Sequence, residues 1–151
     1  MIQRIQTLFL LAVLVLSGLM FMGDYLIMKN DAGSLFAISF EGVTGSEGEV
    51  IQRLMPLSFF VFLVPVLSLV SIFLFRKRQL QMRVTMLTLL FSLGTLILGA
   101  FYVIIFERKM DITILWKIRS VFPLINSILA WLAYRGILKD DLLVKSYDRL
   151  R

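Results

Sequence analysis

Few side chains in this 151-residue chain are of a type that does chemistry. Asp24, Asp31 and Glu41 are carboxylates in one segment, suited to acid-base work at an interface. Asn126 and Ser127 are the most polar adjacent pair within an apolar run, suited to a hydrogen bond between helices. Arg76, Lys77, Arg78 and Arg83 sit close together with no acid among them. Such a cluster sets membrane orientation and attracts anionic lipid headgroups.

The missing residue types exclude more than the present ones suggest. The chain has no Cys and no His. It therefore builds no disulfide, thiolate zinc site, iron-sulfur cluster, imidazole-held haem or histidine-activated serine triad. Neither G-x-x-x-x-G-K-[ST] nor G-x-G-x-x-G occurs, so nucleotide-driven motors are not expected. The net charge of +6 is read as Lys and Arg retained on one side of a membrane, with no nucleic-acid partner.

These side chains must be positioned by apolar segments. Hydrophobic residues make up 59% of the chain and charged residues 17%, against about half and a quarter in soluble domains. Arg4 to Asp24, Arg53 to Arg76 and Arg83 to Glu107 bracket uncharged stretches of 19, 22 and 23 residues. About 20 residues of helix cross the hydrocarbon of a bilayer, so an integral membrane protein is expected. The spans are placed at about 5–23, 54–75, 84–106 and 118–135. The first reads as an uncleaved signal anchor, because no small-residue exit follows it. The fourth is short: the 15 residues between Arg119 and Arg135 give about 22 Å of helix. Snorkelling of those two arginines, or a start near Ile112, would lengthen it. Pro56 suits the first turn of the second helix, and Pro65 predicts a kink in it.

The Lys and Arg count sets orientation. With four spans, the basic loop 76–83 and both termini fall in the cytoplasm, holding 10 basic residues against 6 outside. The outer loop 24–53 is glycine-containing, and Tyr25–Lys29 and Ser34–Phe40 flank Asn30–Gly33 as a short β-hairpin. The competing reading prolongs the first helix through Tyr25 to Met28. The third loop, Glu107 to Arg119, is the weak point of this topology, because its four basic residues fall on the outer side. After Gly136, Leu143, Tyr147 and Leu150 are spaced for one helix face, so the tail 136–151 reads as a short cytoplasmic helix.

Ionisable residues inside spans mark most transport sites, and the first three spans hold none. Proton-coupled transporters, pumps and voltage sensors are therefore disfavoured. Gly18, Thr88, Ser92, Thr95 and Gly99 are small residues that allow close helix approach, with Thr88–Ser92 and Thr95–Gly99 at small-x-x-x-small spacing.

Three segments taken together resemble a known family: Met1–Thr7, Arg78–Arg83 and Lys139–Arg151. The chain resembles the uncharacterised DUF4293 family of four-span inner-membrane proteins from Bacteroidota. The resemblance implies architecture and location, and no activity, cofactor or site residues. All three segments fall on the expected cytoplasmic face. They suggest a partner surface of Gln3, Arg4, Gln6, Arg78, Gln81, Arg83, Lys145, Asp148 and Arg149. The expectation is thus an all-α bundle of four transmembrane helices with a hairpin-like outer loop. The expected role is a non-catalytic accessory or assembly subunit without cofactor or metal, which binds another membrane protein or itself. A small transporter or lipid-handling protein comes second, and an interfacial enzyme using Asp24, Asp31 or Glu41 third.

Overall fold

The computed structural model describes residues 3–30, 34–45, 47–109 and 112–149. Four long apolar helices carry most of the chain, and a small antiparallel sheet covers one end of them. Helix α1 (Gln3–Leu19) continues as a 3₁₀ turn at Met20–Met22. Helix α2 (Met55–Phe73) starts with Pro56 in its first turn, where the missing amide hydrogen is harmless, and runs on through Pro65. Helix α3 (Arg78–Lys109) is the longest, and α4 (Phe122–Arg149) follows a 3₁₀ turn at Ile118–Val121. The helices pack in chain order, with α1 closing the ring against α4. The apolar stretches within them are Ile5–Met22, Met55–Arg76, Arg78–Arg108 and Ile118–Val144, all long enough to cross a membrane.

The helical layer inverts the usual burial pattern. Ser68, Ser71, Thr85, Thr88 and Ser92 are buried, while Leu8, Phe59, Phe73, Ile97 and Ile128 are exposed. Small polar side chains lie between helices that approach closely, and the large apolar ones face outward, the distribution that suits a lipid surround. The largest hydrophobic core lies at the sheet end, where Met20, Leu26, Met28, Ile38, Leu57 and Val103 meet.

The sheet contains five strands: β1 (Leu26–Asn30), β2 (Leu35–Ser39), β3 (Gly42–Thr44), β4 (Val50–Gln52) and β5 (Ile112–Trp116), in the order β4-β3-β2-β1-β5. The expected hairpin is present, with Leu26 opposite Ile38 and Met28 opposite Phe36, so Tyr25 to Met28 do not prolong α1. Gly42 closes the β2–β3 turn at φ +130°, and a Cβ there would collide with the Gln52 carbonyl. Ser58 at the start of α2 donates to the Phe40 carbonyl at 2.6 Å and pins the sheet to the helices.

Three expectations are corrected. Ile112–Trp116 is a strand that pairs along β1, with Trp116 opposite Leu26 and Ile112 opposite Asn30. The fourth helix therefore cannot start near Ile112. The basic loop shrinks to a 3₁₀ turn at Leu74–Arg76 and Lys77, since Arg78 to Arg83 already belong to α3. The tail is no separate helix either: α4 runs unbroken past Gly136 to Arg149, and Gly136 serves as a point of close approach to α1. The described structure thus has a mixed end cap on its helices, where an all-α class with one hairpin was expected.

Candidate functional site

The polar residues singled out along α3 and α4 are used in two different ways. Thr88 and Thr95 donate to the carbonyls one turn back, Val84 at 3.0 Å and Phe91 at 2.9 Å. Ser92 instead reaches across to the Pro123 carbonyl of α4 at 2.9 Å, and Ser127 donates to Ser92 Oγ at 3.1 Å and to the same carbonyl at 2.8 Å. Pro123 and Ser127 are one helical turn apart, so a single polar knot clamps α3 to α4. Asn126, adjacent to Ser127, is 1% exposed, and its Oδ1 has no partner among the described residues. Elsewhere Ser68 donates to the Leu10 carbonyl at 2.7 Å, joining α2 to α1, and Ser71 meets Thr85 at 2.7 Å, joining α2 to α3.

Glycine positions differ from the expectation. A Cβ at Gly18 or Gly99 would meet nothing within 4 Å, so neither supports a close helix crossing within the chain. The crowded glycines within the helices are Gly94, which lies against the Phe60 ring, and Gly136, where a Cβ would come within 2.8 Å of Gln6 Cγ. The small-x-x-x-small pattern favours pairs at fixed spacing, whereas the observed contacts depend on which residue the next helix happens to place opposite.

At the end where α1 starts and α4 ends, three of the four described members of the expected partner surface, Gln6, Arg78 and Gln81, take part in an internal joint. Gln6 and Gln81 are each only 5% exposed. Gln6 Nε2 donates to Asp140 Oδ2 at 2.7 Å, which ties α1 to α4, and Arg78 Nη1 donates to the Asp140 backbone carbonyl at 3.2 Å, which ties in α3. Arg83 remains exposed. The side chains of Gln3, Arg4, Lys145, Tyr147, Asp148 and Arg149, and residue Leu150, lie outside the described part of the structure. Asp140 is the residue that sequence reasoning missed; its spacing from Gly136 along α4, one turn, is the signal that it shares a face with the α1 contact.

At the sheet end, Asp24 and Lys117 form a 2.8 Å ion pair, so this carboxylate is held by a neighbour from the other connecting segment. Glu41 is exposed at the β2–β3 turn, and Asp31 lies outside the described residues. Among the described residues no three Asp or Glu side chains gather as metal ligands.

The same end holds a cavity of about 140 Å³ between sheet and helices. Its wall includes Tyr25, Ile38, Leu57, Gly99, Val103 and Trp116. Tyr25 is 5% exposed, and its hydroxyl has no hydrogen-bond partner among the described residues. Burial raises the pKa of this phenol above its ordinary value, so it stays protonated and able to donate.

The other side of the sheet is also informative. Leu26, Met28, Ile38 and Val43 point to the core, so their neighbours along each strand point away. Cross-strand pairing then aligns Leu115, Ile27, Ala37 and Thr44 in one row across β5, β1, β2 and β3, with Leu35 beside it, and a bulge separates this row from β4. Leu115 is 52% exposed and Leu35 44%. A sheet face turned to water ordinarily alternates to polar residues; this row is apolar from Leu115 to Ala37, with Thr44 beyond it and Lys29 beside Leu35.

These features define a class: a protein of four helices long and apolar enough to cross a membrane, capped at one end by a small sheet drawn from two connecting segments. The model of a family described as a domain of unknown function (DUF4293) matches residues 2–150, and the chain belongs to that family. Comparison with curated proteins finds no match.

Proposed function

We propose that the chain is a bundle of four transmembrane helices in the bacterial inner membrane, with both termini cytoplasmic and the sheet outside. Its role in this reading is that of a non-catalytic accessory or assembly subunit for another membrane protein. The membrane part is supported by the outward-facing Leu8, Phe59, Ile97 and Ile128 and by the four basic residues at the junction of α2 with the first turns of α3. Arg135 can be accommodated within the 27-residue fourth stretch, since its guanidinium lies 4.8 Å from the Trp131 ring centre and both side chains are exposed.

The observation that carries the partner role is the apolar row from Leu115 to Ala37 on the outer sheet face. Contiguous apolar surface facing water marks an interaction site, and the edge strand β5 leaves backbone groups open beside it. The occupant is the extramembrane part of a neighbouring membrane protein that offers an apolar surface. The interhelical clamps from Ser68, Ser71 and Ser92 fit a rigid scaffold that presents such a face.

The test is gentle purification of a tagged copy at native abundance, with quantitative mass spectrometry of what accompanies it. A stoichiometric membrane protein is expected with the natural chain, and its loss with the Leu35→Glu, Leu115→Glu double variant. Recovery alone or as a self-oligomer would overturn the reading. The cavity beneath the sheet would then favour the second reading, a small transporter or lipid-handling protein.

A further inference from the structure

We infer that the cavity beneath the sheet holds part of an acyl chain, whose carbonyl oxygen accepts a hydrogen bond from Tyr25. The inference rests on the membrane reading above and is independent of any protein partner. Size comes first. At about 140 Å³ the cavity is close to the roughly 150 Å³ of an apolar cavity known to stay dry and to bind benzene. It has room for a few methylene groups and none for a whole lipid.

Chemistry comes second. The wall is mostly Met, Leu, Ile, Val and aromatic side chains. Of its hydroxyls, Thr95 donates to the Phe91 carbonyl at 2.9 Å and Ser120 to the Lys117 carbonyl at 2.6 Å, so both protons are used. Tyr102, the fourth hydroxyl on the wall, is only partly buried, whereas Tyr25 is 5% exposed and has no partner among the described residues. An unmade hydrogen bond on a buried hydroxyl is destabilising, and a carbonyl acceptor entering the cavity would relieve that cost. A water needs two to four polar partners, and these walls have little to offer it.

Position comes third. The wall runs inward from the ends of the apolar stretches: Met20 lies near the end of the first, Leu57 near the start of the second, Val103 near the end of the third and Ser120 at the start of the fourth, while Thr95 and Leu96 lie deeper along the third. In a bilayer the ends of those stretches lie at the depth of the ester carbonyls, between acyl chains and headgroups. Trp116 is both a wall residue and 64% exposed, so the cavity borders the surface there. Gly99 leaves the α3 backbone as wall, with no neighbour where its Cβ would stand.

An acyl chain with its carbonyl comes from an ester-linked phospholipid or from a free fatty acid, and two probes separate them. The full chain is placed in vesicles of phosphatidylethanolamine and phosphatidylglycerol. One arm contains a phosphatidylethanolamine with a diazirine on one acyl chain, the other a fatty acid with the same diazirine. After illumination, labelled residues are located by mass spectrometry. Cavity residues Tyr25, Gly99 and Val103 are expected to be labelled in at least one arm, and that arm names the source. The outward-facing Ile97 and Phe101 should be labelled as well, as a report of membrane contact. Gly99→Leu fills the cavity and should abolish cavity labelling while leaving Ile97 and Phe101 unchanged. Tyr25→Phe keeps the ring and should lower cavity labelling about threefold to tenfold, the worth of one net hydrogen bond. This second variant keeps the test open should Gly99→Leu fail to fold. Labelled Ile97 and Phe101 with an unlabelled cavity, or cavity labelling that survives Gly99→Leu, would overturn the inference while the membrane reading stands. Unchanged labelling in Tyr25→Phe would overturn the hydrogen bond. Absence of label at all these residues would overturn the membrane reading too.

Discussion

Replacing Tyr25 with phenylalanine deletes one oxygen from a buried site and leaves the ring in place. In protein stripped of lipid, that oxygen has no partner among the described residues. A buried hydroxyl without a partner carries a desolvation cost of about 1–3 kcal/mol, so Tyr25→Phe should stabilise the stripped protein by about 1 kcal/mol. For a chain of this size that corresponds to a rise of about 2–4 °C in Tm, measurable by thermal unfolding in detergent. Most buried substitutions destabilise, so the sign alone is diagnostic. A pH arm isolates the same group. Unfolded tyrosine titrates near 10.0, and burial raises the folded value above that. The contribution is therefore fully present below pH 10 and is lost as pH rises from there toward the folded value, because the unfolded chain gives up its proton first. The slope over that window is about 1.4 kcal/mol per pH unit from this one group, and it should vanish in Tyr25→Phe. A loss of about 1 kcal/mol or more in the stripped Phe variant, or alkaline slopes that coincide, would refute the reasoning by showing that the hydroxyl is paired or wet.

Three further outcomes are expected. Gln6→Ala removes the amide that donates to Asp140 and should destabilise by about 1.5–3 kcal/mol, and a double-mutant cycle with Asp140→Ala should show coupling; additive losses would mean that the two do not interact. Ser92→Ala breaks the knot between α3 and α4 and should cost about 0.6–1.7 kcal/mol in thermal or denaturant unfolding, more than Thr88→Ala, whose bond stays within α3; equal losses would count against the knot. Because the chain has no Cys, single introduced thiols report topology cleanly: Glu41→Cys should react with a membrane-impermeant maleimide added outside the inner membrane, and Arg83→Cys only after that membrane is breached. The reverse pattern would invert the proposed orientation.

The hairpin was legible because it is local. Phe36, Ile38 and Phe40 alternate within a few residues of a turn-rich segment, and the strands β1 and β2 follow. Strand β5 carried the same kind of signal in Ile112, Ile114 and Trp116, but its partner β1 lies far back along the chain, so nothing nearby marked it as paired. The basic cluster was read correctly as charge and wrongly as loop, since α3 absorbs Arg78 to Arg83 as its first turns. Gln6 and Gln81 looked like surface residues by type and are buried by geometry, because α4 brings Asp140 up against Gln6.

What the chain determined by itself is the set of long apolar helices and the sorting of Lys and Arg between them. Both follow from free energies summed residue by residue over a contiguous stretch, and they need no knowledge of neighbours. The tertiary structure alone decided that two connecting segments share one sheet, that Asp140 closes onto Gln6, and that an unpaired phenol lies beside a cavity. Each of those depends on groups distant in sequence meeting at hydrogen-bond or van der Waals range, and composition and spacing do not encode which helix face meets which.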